Sequence, residues 1–375
     1  MDNRPLHIAI DGRELVGKPT GAGRYLTGLM AQWARTTSHR YTVVLHAEPG
    51  AALRQFGDRF TWRVEPAAIG GTLWEQRVLP RAVHAIGADV LLAPAYTAPL
   101  RSPAPFVVVI HDVSYFAHPE WFPWREGLRR RLVTRRAARR ARRIVTISEF
   151  SRAEIERYLD VPASRIDLAP PGAPEIEVGP HFRQPLAPEI EVGPHFRQPL
   201  VLYAGSLFNR RHVAGMIQAF AQVAREAPDA RLVLVGDNRT SPREDPRAIA
   251  RDSGVADRVE WREYATDAEL AVLYRSARVF LFLSDYEGFG IPPLEAFAHG
   301  VPAVVLDTPI SREVYGDGAI RVSADAGAIA GAMARLLTND SAHGLAVAAG
   351  RARLSAYSWA RSAAVVTRAL EEAAR

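Results

Sequence analysis

The chain has 375 residues, enough for two domains, and a hydrophobic fraction of 48% that can fill the core of each. It contains no cysteine, which excludes disulfides, thiolate catalysis and thiolate metal sites. The net charge is +6 and Lys18 is the only lysine, so any phosphate-binding role of a lysine would fall to an arginine.

Neither secretion nor membrane insertion is expected from the sequence. No apolar run approaches the roughly 20 residues that span a bilayer, and the first residues lack the long apolar core of a signal peptide. We therefore expect a cytoplasmic protein, which can contact the inner face of the cytoplasmic membrane without crossing it.

Short apolar runs alternate with helical patterns along the chain. The predicted strands are HIAID, YTVVLH, DVLLAP, FVVVIHD, RIVTIS and RIDLAP in the first half, and LVLYAGS, RLVLVGD, RVEWRE, RVFLFLS and VPAVVLD in the second. Helical patterns such as GAGRYLTGLMAQWAR, EFSRAEIERYL and VAGMIQAFAQVARE separate them. This alternation predicts an α/β protein of two doubly wound domains. A ligand would bind between them, at the carboxyl ends of the strands.

The segment 125–143, REGLRRRLVTRRAARRARR, is rich in arginine. Five apolar residues recur there at helical spacing, which predicts one face that packs against the domain: Leu128, Leu132, Ala137, Ala141 and Ile144. The arginines would form either a solvated face or a patch that contacts anionic lipids, where each basic residue contributes about 1 kcal/mol. No recognition motif or zinc spacing supports a nucleic-acid partner.

A perfect tandem repeat separates the two halves. The sequence APEIEVGPHFRQPL occurs at 173–186 and again at 187–200. Proline breaks helices and cannot donate within a strand ladder, so this segment is predicted to be a linker. The two copies are identical at every position, which indicates a recent duplication or an error in the sequence. Stacked repeats would have diverged from one another. We interpret the second copy as tolerated linker length, because doubling a flexible loop costs only about 0.6 kcal/mol.

The strongest motif is SDYEGFGIPPLEAFAHGVPAVV, at residues 284–305. Glu287 precedes a glycine-rich turn, two prolines suit the first turn of a helix, and Glu295 lies on that helix. Glycines let backbone amides approach a ligand closely, and a carboxylate can accept from pairs of sugar hydroxyls. The motif is therefore either a ligand cradle or an ordinary strand-to-helix turn with two surface glutamates.

The frame EGFGIPPLE, with two glutamates separated by seven residues, resembles the signature of glycosyltransferase family 4. Further motifs resemble that family in the same order along the chain: IDGRELVGKPTGAGRYL, VVVIHDVSYFAHPEWF, ISEFSRAEI, LAPPGAP and LYAGSLFNRRHVAGMIQAF. The resemblance implies the GT-B fold of two Rossmann-like domains. Residues 1–172 would form the acceptor-side domain, 173–200 the linker, 201–357 the nucleotide-sugar domain and 358–375 a helix that returns to the first domain.

The resemblance also implies a donor site on the second domain. Glu287 would bind hydroxyls of the donor sugar, together with the backbone amides of Gly288, Phe289 and Gly290. Glu295 would accept from the ribose hydroxyls. These roles need an acceptor with two oxygens at each glutamate position, which a carboxylate provides.

Two arginines occupy the place where the resemblance implies a diphosphate site. Arg211 stands where the family has a lysine, and Arg210 precedes it; arginine binds phosphate bidentately, so the exchange is chemically reasonable. The family often has an arginine after Gly205, where this chain has Ser206. The alternative for the two arginines is a solvated helix start. Tyr264 would lie near the nucleobase.

The first domain would contribute the acceptor side of the site. His111, at the end of FVVVIHD, would face the donor sugar, with Asp112 beside it. The residues Gly21, Ala22 and Gly23 of TGAGRY would form a loop near the diphosphate and the acceptor. A histidine at a strand end is otherwise more often structural.

The reaction implied is that of a retaining hexosyltransferase, without a metal, another cofactor or a covalent side-chain nucleophile. The motifs TGAGRY and IHDVSYFAHPEWF look most like bacterial mannosyltransferases of surface polysaccharide synthesis. GDP-mannose is therefore the first expected donor, before dTDP-rhamnose or UDP-glucose, and the acceptor would be a saccharide or a lipid-linked saccharide. The alternatives are a GT-B epimerase or phosphorylase and a non-catalytic polyanion-binding protein, whose activity Glu287→Ala would leave untouched.

Overall fold

The computed structural model describes residues 4–17, 21–36, 38–174 and 199–375, apart from the side chains of residues 51, 52, 54 and 55. The chain divides into two compact units. Unit 1 comprises Met1–Gly172 together with Tyr357–Arg375, and unit 2 comprises Ala173–Ala356.

The described part of unit 1 contains a seven-stranded parallel sheet in the order β3-β2-β1-β4-β5-β6-β7. Its strands are β1 (His7–Asp11), β2 (Arg40–Leu45), β3 (Phe60–Val64), β4 (Val90–Ala93), β5 (Phe106–Val109), β6 (Arg143–Thr146) and β7 (Ile166–Leu168). Its helices are α1 (Gly21–Thr36), α2 (Gly71–Arg77), α3 (Leu79–Ala85), α4 (Ser114–Ala117), α5 (Trp124–Arg140), α6 (Glu149–Leu159) and, at the end of the chain, α14 (Trp359–Ala373). The strand order reverses between β1 and β4, as in a doubly wound fold.

Unit 2 contains, within its described residues, a six-stranded parallel sheet in the order β10-β9-β8-β11-β12-β13. Its strands are β8 (Leu200–Ala204), β9 (Arg231–Val235), β10 (Val259–Arg262), β11 (Ala277–Phe282), β12 (Ala303–Leu306) and β13 (Ile320–Val322). Its helices are α7 (Val213–Glu226), α8 (Pro246–Asp252), α9 (Asp267–Ser276), α10 (Pro292–Ala298), α11 (Pro309–Tyr315), α12 (Ala326–Thr338) and α13 (Asp340–Leu354). The strand order reverses between β8 and β11.

The predicted fold class is confirmed in both units. A parallel strand that helices cover on both faces has a continuous run of apolar residues. Such runs correctly predicted the inner strands of both sheets. The sequence patterns missed β3 and β13, which lie at the sheet edges and are only partly buried. An edge strand lacks the continuous apolar pattern that identifies an inner one.

The final helix, α14, packs within unit 1. The ring of Trp359 lies 5.8 Å from that of Tyr25 on α1, and Trp33 on the same helix donates through Nε1 to Thr367 Oγ1 at 3.0 Å. The buried side chains of α14 include Val366 and Leu370. Residues that follow unit 2 in the sequence therefore complete the core of unit 1.

The arginine-rich segment forms α5, and three of the five residues predicted to pack are buried. Leu128 and Leu132 are exposed, while Ala137, Ala141 and Ile144 are buried, the last of these on β6. The helix packs instead through its small residues: Gly127, Thr134, Ala137 and Ala138. Ala137 and Ala138 belong to the apolar core of unit 1, and the two leucines lie on the outer side of the helix. The prediction that they pack is wrong.

Most of the tandem repeat, residues 175–198, lies outside the described residues. β8 begins at Leu200, the last residue of the second copy. If residues 187–200 are deleted, Leu186 precedes Val201 and the sequence entering β8 is restored. We expect this deletion to leave the dissociation constant for a nucleotide sugar unchanged, as measured by calorimetry.

Deleting both copies, residues 173–200, is the matched control. It removes the connection and the first residue of β8 together, so we expect loss of the cooperative thermal transition of unit 2. If the single-copy deletion also lost donor affinity, the second copy would have a function.

Candidate functional site

The candidate site lies at the carboxyl ends of β8 and β11, where the strand order of unit 2 reverses. Open α/β sheets bind ligands at such switch points, because the loops after the two strands diverge to opposite faces. The loop after β8 carries Gly205, Ser206 and a short 3₁₀ turn at Asn209–Arg211. The loop after β11 carries Glu287 and the glycine-rich turn. The fold thus brings together two motifs that are far apart in sequence.

Arg211 and Glu287 form a largely buried ion pair in this site. Arg211 donates to Glu287 Oε1 through Nε at 2.9 Å and through Nη2 at 2.8 Å. Ser284 donates through Oγ to the same oxygen at 2.8 Å. The side chains are only 12% and 14% exposed. Because these bonds all use Oε1, the second carboxylate oxygen, Oε2, is available to accept from a ligand.

The other side of the Arg211 guanidinium is held by the loop after β8. Nη1 donates to the backbone oxygen of Ser206 at 2.9 Å and lies 3.4 Å from the hydroxyl of Tyr203. Gly205 makes room for this group, since a Cβ there would lie 2.7 Å from Nη1. Burial alone would lower the pKa of Arg211, but Glu287 and Tyr203 outweigh it and raise the pKa above its ordinary value.

Arg210 has a different environment. Its guanidinium carbon lies 4.2 Å from the ring centroid of Phe208, a cation–π contact. Its backbone oxygen accepts from the amide of Asp285 at 3.0 Å. Helix α7 begins only at Val213. The alternative of a solvated helix start therefore does not hold for Arg211, which is largely buried two residues before the helix begins.

His212 provides a further link between the two loops, which no sequence motif had indicated. Its backbone is left-handed, with φ of 49°, and its Nε2 donates to Asp285 Oδ2 at 2.8 Å. Asp285 raises the pKa of His212 through this hydrogen bond. The loop that carries the arginines is thus joined to the loop that carries Glu287 at three successive residues.

The rest of the signature motif is also built into unit 2. Phe289 is buried, so its side chain belongs to the core, and Tyr315 donates through its hydroxyl to the backbone oxygen of Gly290 at 2.8 Å. Glu295 lies on α10 and accepts at Oε2 from the hydroxyl of Tyr274 at 2.9 Å. Tyr274 in turn stacks on His299, with ring centroids 5.0 Å apart. The turn and the second glutamate are therefore held by two tyrosines that the sequence did not single out.

Tyr264, the expected neighbour of the nucleobase, lies on the loop between β10 and α9 with 59% of its surface exposed. That loop belongs to the same carboxyl edge of the sheet, since β10 is parallel to β9. Its role at a base stays a prediction.

The predicted residues of unit 1 form a separate cluster. His111 is buried, donates through Nε2 to the backbone oxygen of Pro94 at 2.9 Å and meets Tyr25 edge to face at 5.2 Å. Burial lowers the pKa of His111, so the imidazole is neutral near pH 7. Asp112 accepts from the hydroxyl of Tyr96 at 3.0 Å. Contact of His111 with a donor sugar stays a prediction.

The expected glycine loop of unit 1 needs a correction. Gly21, Ala22 and Gly23 are the first residues of α1, and Ala22 and Gly23 are buried. The first turn of a helix has no intrahelical partners for its N–H groups, so glycine there costs less than in a helix interior. Any loop at this position lies before Gly21, where residues 18–20 are outside the described part.

Comparison with known proteins gives two family matches that together span most of the chain. Residues 19–175 match Glycosyltransferase Family 4, and residues 191–353 match Glycosyl transferases group 1. The chain belongs to the family 4-like glycosyltransferases. The two matches leave out residues 176–190, which lie within the tandem repeat.

Similar proteins include two mannosyltransferases. O-antigen chain mannosyltransferase B of Escherichia coli is 30% identical over 255 residues, covering 68% of this chain and 66% of that protein. O-antigen chain mannosyltransferase RfbU of Salmonella typhimurium is 22% identical, covering 58% and 56%. The chain thus matches less than two thirds of the length of either relative.

A solved structure supports the fold over the whole length. HepE of Anabaena, crystallised with UDP and glucose, superposes with a TM-score of 0.74 at 19% identity, covering 98% of this chain and 99% of that one. At this identity the match defines the fold, two Rossmann-like domains of the GT-B type. The expected fold is therefore confirmed, and the two family matches confirm the resemblance seen in the sequence motifs.

Proposed function

We propose that this protein transfers mannose, with retention, from GDP-mannose to a saccharide or lipid-linked saccharide in surface polysaccharide synthesis. The observation that carries the proposal is the Arg211–Glu287 pair at the switch point of unit 2. It combines a charge suited to a diphosphate with a carboxylate suited to sugar hydroxyls. The names of the two O-antigen relatives favour mannose, ahead of rhamnose from dTDP-rhamnose or glucose from UDP-glucose.

The main task in this reaction is to stabilise the negative charge that develops on the leaving nucleoside diphosphate. Arg210 and Arg211 would supply positive charge, and the backbone amides of the glycine-rich turn would supply hydrogen bonds. Arg211 is already fixed by Glu287 and the Ser206 carbonyl, so it would not need to reorganise as the charge develops. Such preorganised groups in a site shielded from water are worth more than the same groups in solvent.

Glu287 would orient the donor sugar and would not attack it. Oε1 already accepts from Arg211 and Ser284, which withdraws electron density from the carboxylate. The remaining oxygen, Oε2, would accept from a sugar hydroxyl. We therefore expect no glycosyl-enzyme intermediate on this residue, and the leaving phosphate would take the proton of the acceptor. No metal or other cofactor is proposed, because the arginines carry the charge that a metal would otherwise supply.

A lipid-linked acceptor would place the reaction at the inner face of the cytoplasmic membrane. Among the described residues, no helix combines the length and the apolar character that a membrane crossing requires. The proposed attachment is therefore peripheral, through the arginine-rich segment 125–143.

Thermal unfolding with a panel of nucleotides tests the donor site. The panel comprises GDP-mannose, dTDP-rhamnose, UDP-glucose, GDP and UDP. A ligand at 100 times its dissociation constant stabilises by about 2.7 kcal/mol, so we expect a clear rise in melting temperature, greatest with GDP-mannose. If neither a nucleotide sugar nor a nucleoside diphosphate raised it, the proposed donor site would be wrong.

Product analysis separates transfer from the two other GT-B reactions. A transferase releases nucleoside diphosphate only when an acceptor is present, and the new anomeric configuration equals that of the donor. An epimerase would convert the donor without an acceptor, and a phosphorylase would need inorganic phosphate. NMR of the reaction mixture identifies each product directly.

A further inference from the structure

Helix α5 exposes an apolar stripe. Trp124, Leu128 and Leu132 are 70%, 44% and 43% exposed, and their spacing of four residues places them along one side of the helix. Leu73 on α2, also exposed, follows Thr72, whose hydroxyl accepts a hydrogen bond from Arg129 of α5 at 2.5 Å. Six large hydrophobic side chains are exposed in the described parts of the chain, and four of them lie here.

Arginines share the outer half of this helix with the stripe. At about 100° per residue, four exposed arginines fall on the side opposite the buried residues, around the leucines: Arg125, Arg129, Arg136 and Arg139. Glu126 is the only acidic residue of α5. Arg125 stacks on Trp124, with its guanidinium carbon 5.2 Å from the ring centroid. The outward side of the helix is thus strongly basic, and the apolar stripe runs along one edge of that side, with arginines beside the leucines.

The exposure of the stripe follows from how α5 is anchored. Thr134, Ala137 and Ala138 are fully buried, and Tyr115 donates to Thr134 Oγ1 at 3.0 Å. Because this side of the helix is fixed against unit 1, the opposite side must face outward. A helix with an apolar stripe beside cationic side chains has the composition of one that lies in a membrane interface.

We propose that α5 is a membrane-docking helix. It lies in the plane of an anionic lipid surface with Trp124, Leu128 and Leu132 among the upper acyl chains, and its outer arginines bind the headgroup phosphates. Tryptophan favours this depth because its ring is apolar and its N–H can reach water. Arginine can extend its charged end to the headgroups while its aliphatic part stays in the apolar layer.

The inference deepens the proposed function, since it rests on an acceptor held in a membrane. In this proposal the protein is held at the membrane by inserted apolar side chains as well as by charge. The arginine content alone did not imply the apolar contribution. Nucleic acid would use the arginines but would have no use for the apolar stripe. An anionic lipid surface satisfies both.

Cosedimentation of the full chain with vesicles tests the docking helix. We use phosphatidylcholine vesicles with and without phosphatidylglycerol and expect binding only to the anionic ones, weakened by added salt. The combined change Trp124→Ser, Leu128→Ser and Leu132→Ser should lower the binding constant at least about tenfold. These side chains are exposed, so the variant should keep the wild-type melting temperature.

Leu345→Ser is the matched control, because Leu345 is an exposed leucine on α13 of unit 2. It should bind anionic vesicles as the wild type does. The docking proposal fails if the triple variant also binds like the wild type, or if the wild type binds no anionic vesicle. It fails as well if sedimentation shows that the stripe is covered by a second copy of the chain, with the triple variant monomeric.

Donor binding is measured on the same triple variant by its thermal response to GDP-mannose. We expect that response to be unchanged, since the stripe belongs to unit 1 and the Arg211–Glu287 pair to unit 2. A failure of vesicle binding and a failure of donor binding are therefore distinguishable.

Discussion

Glu287→Gln is expected to slow sugar transfer at least about 100-fold and to leave unit 2 folded. The amide oxygen of glutamine can still accept from Arg211 and Ser284, so the hydrogen bonds on Oε1 have a replacement. The negative charge and the second carboxylate oxygen are lost, and with them the proposed acceptor for the sugar hydroxyl. Transfer of a labelled sugar, together with thermal unfolding, measures both effects.

Glu260→Gln is the matched control for this substitution. Glu260 lies on the edge strand β10 and pairs with Arg262 in a half-exposed ion pair, which contributes little to stability. The variant should transfer sugar at the wild-type rate. If Glu287→Gln also kept that rate, the carboxylate would have no part in the reaction.

Glu287→Ala is expected to affect stability as well as transfer. The structure places Glu287 against a largely buried arginine. Removing one partner of a buried ion pair costs about 3–5 kcal/mol, and alanine, unlike glutamine, also leaves Arg211 and Ser284 without the oxygen to which they donate. The double variant Arg211→Met/Glu287→Ala should recover much of this loss while remaining inactive. Denaturant unfolding of the wild type, the two single variants and the double variant measures the coupling free energy between Arg211 and Glu287.

The stabilities of these variants show how far Glu287 supports the fold, apart from its effect on sugar transfer. If Glu287→Ala were as stable as the wild type, the ion pair would not be formed in solution. If the double variant were no more stable than the single one, the loss would come from another contact of Glu287 instead. Either outcome would remove the physical basis for placing Arg211 and Glu287 in one site.

Gly236→Ala is expected to destabilise unit 2 by more than about 4 kcal/mol. Gly236 follows β9 with φ of 147°, a region that side-chain-bearing residues rarely adopt. A Cβ at this position would lie 1.9 Å from the backbone oxygen of Gly205. Backbone cannot move aside as a side chain can, so the ends of β8 and β9 would have to separate.

Gly236→Ala should also lose donor binding, because the Gly205–Ser206 turn that it displaces holds Arg211. Gly331→Ala is the control: Gly331 is exposed within α12 and a Cβ there meets no atom within 4 Å. That change should stabilise by about 0.4–1 kcal/mol, since alanine loses less backbone entropy in a helix. A cooperative wild-type-like transition of Gly236→Ala would contradict the close approach of the two strands.

The sequence identified most of the sheet and the two loops of the site, for a physical reason in each case. β8 and β11 are fully covered by helices, so they read as continuous apolar runs. The glycine-rich turn after β11 and the arginines after β8 each stood at the end of such a run. Since parallel strands end at the same edge, both motifs could be placed on that edge.

The sequence could not show which side chains make contact there. Arg211 and Glu287 are 76 residues apart, and their pairing depends on β8 and β11 being neighbours. Tyr203 and Ser284 complete the cluster from positions within and just after these strands, where a polar group gives no pattern of its own. The resemblance assigned the arginine to phosphate and the glutamate to sugar separately, whereas the structure makes them one unit.

Helix α5 illustrates the opposite error. Leu128 and Leu132 suggested a packed face because large apolar residues usually define one. The helix is buried instead through its small residues, which include Gly127, Ala137 and Ala138, and that choice depends on the space available in the fold. The same apolar residues at helical spacing, because they are exposed, now suggest a docking surface.

The resemblance implies a lysine at the position of Arg211, and the structure shows what an arginine does there. The planar guanidinium reaches Glu287 through Nε and Nη2 and Ser206 through Nη1 at the same time. A lysine ammonium lacks this fixed fork and would act as a point charge on one partner. An arginine at this position can therefore link the two loops of the site and still be a cation suited to a diphosphate.

The donor site is tested most directly by calorimetric titration of the wild type and Glu287→Gln with GDP and with GDP-mannose. We predict that the affinity for GDP-mannose relative to that for GDP is higher in the wild type than in the variant, because only the wild type can accept from the sugar with a carboxylate. The same affinity ratio in both proteins, or no binding of either ligand to the wild type, would contradict the assignment of Glu287 to the donor sugar.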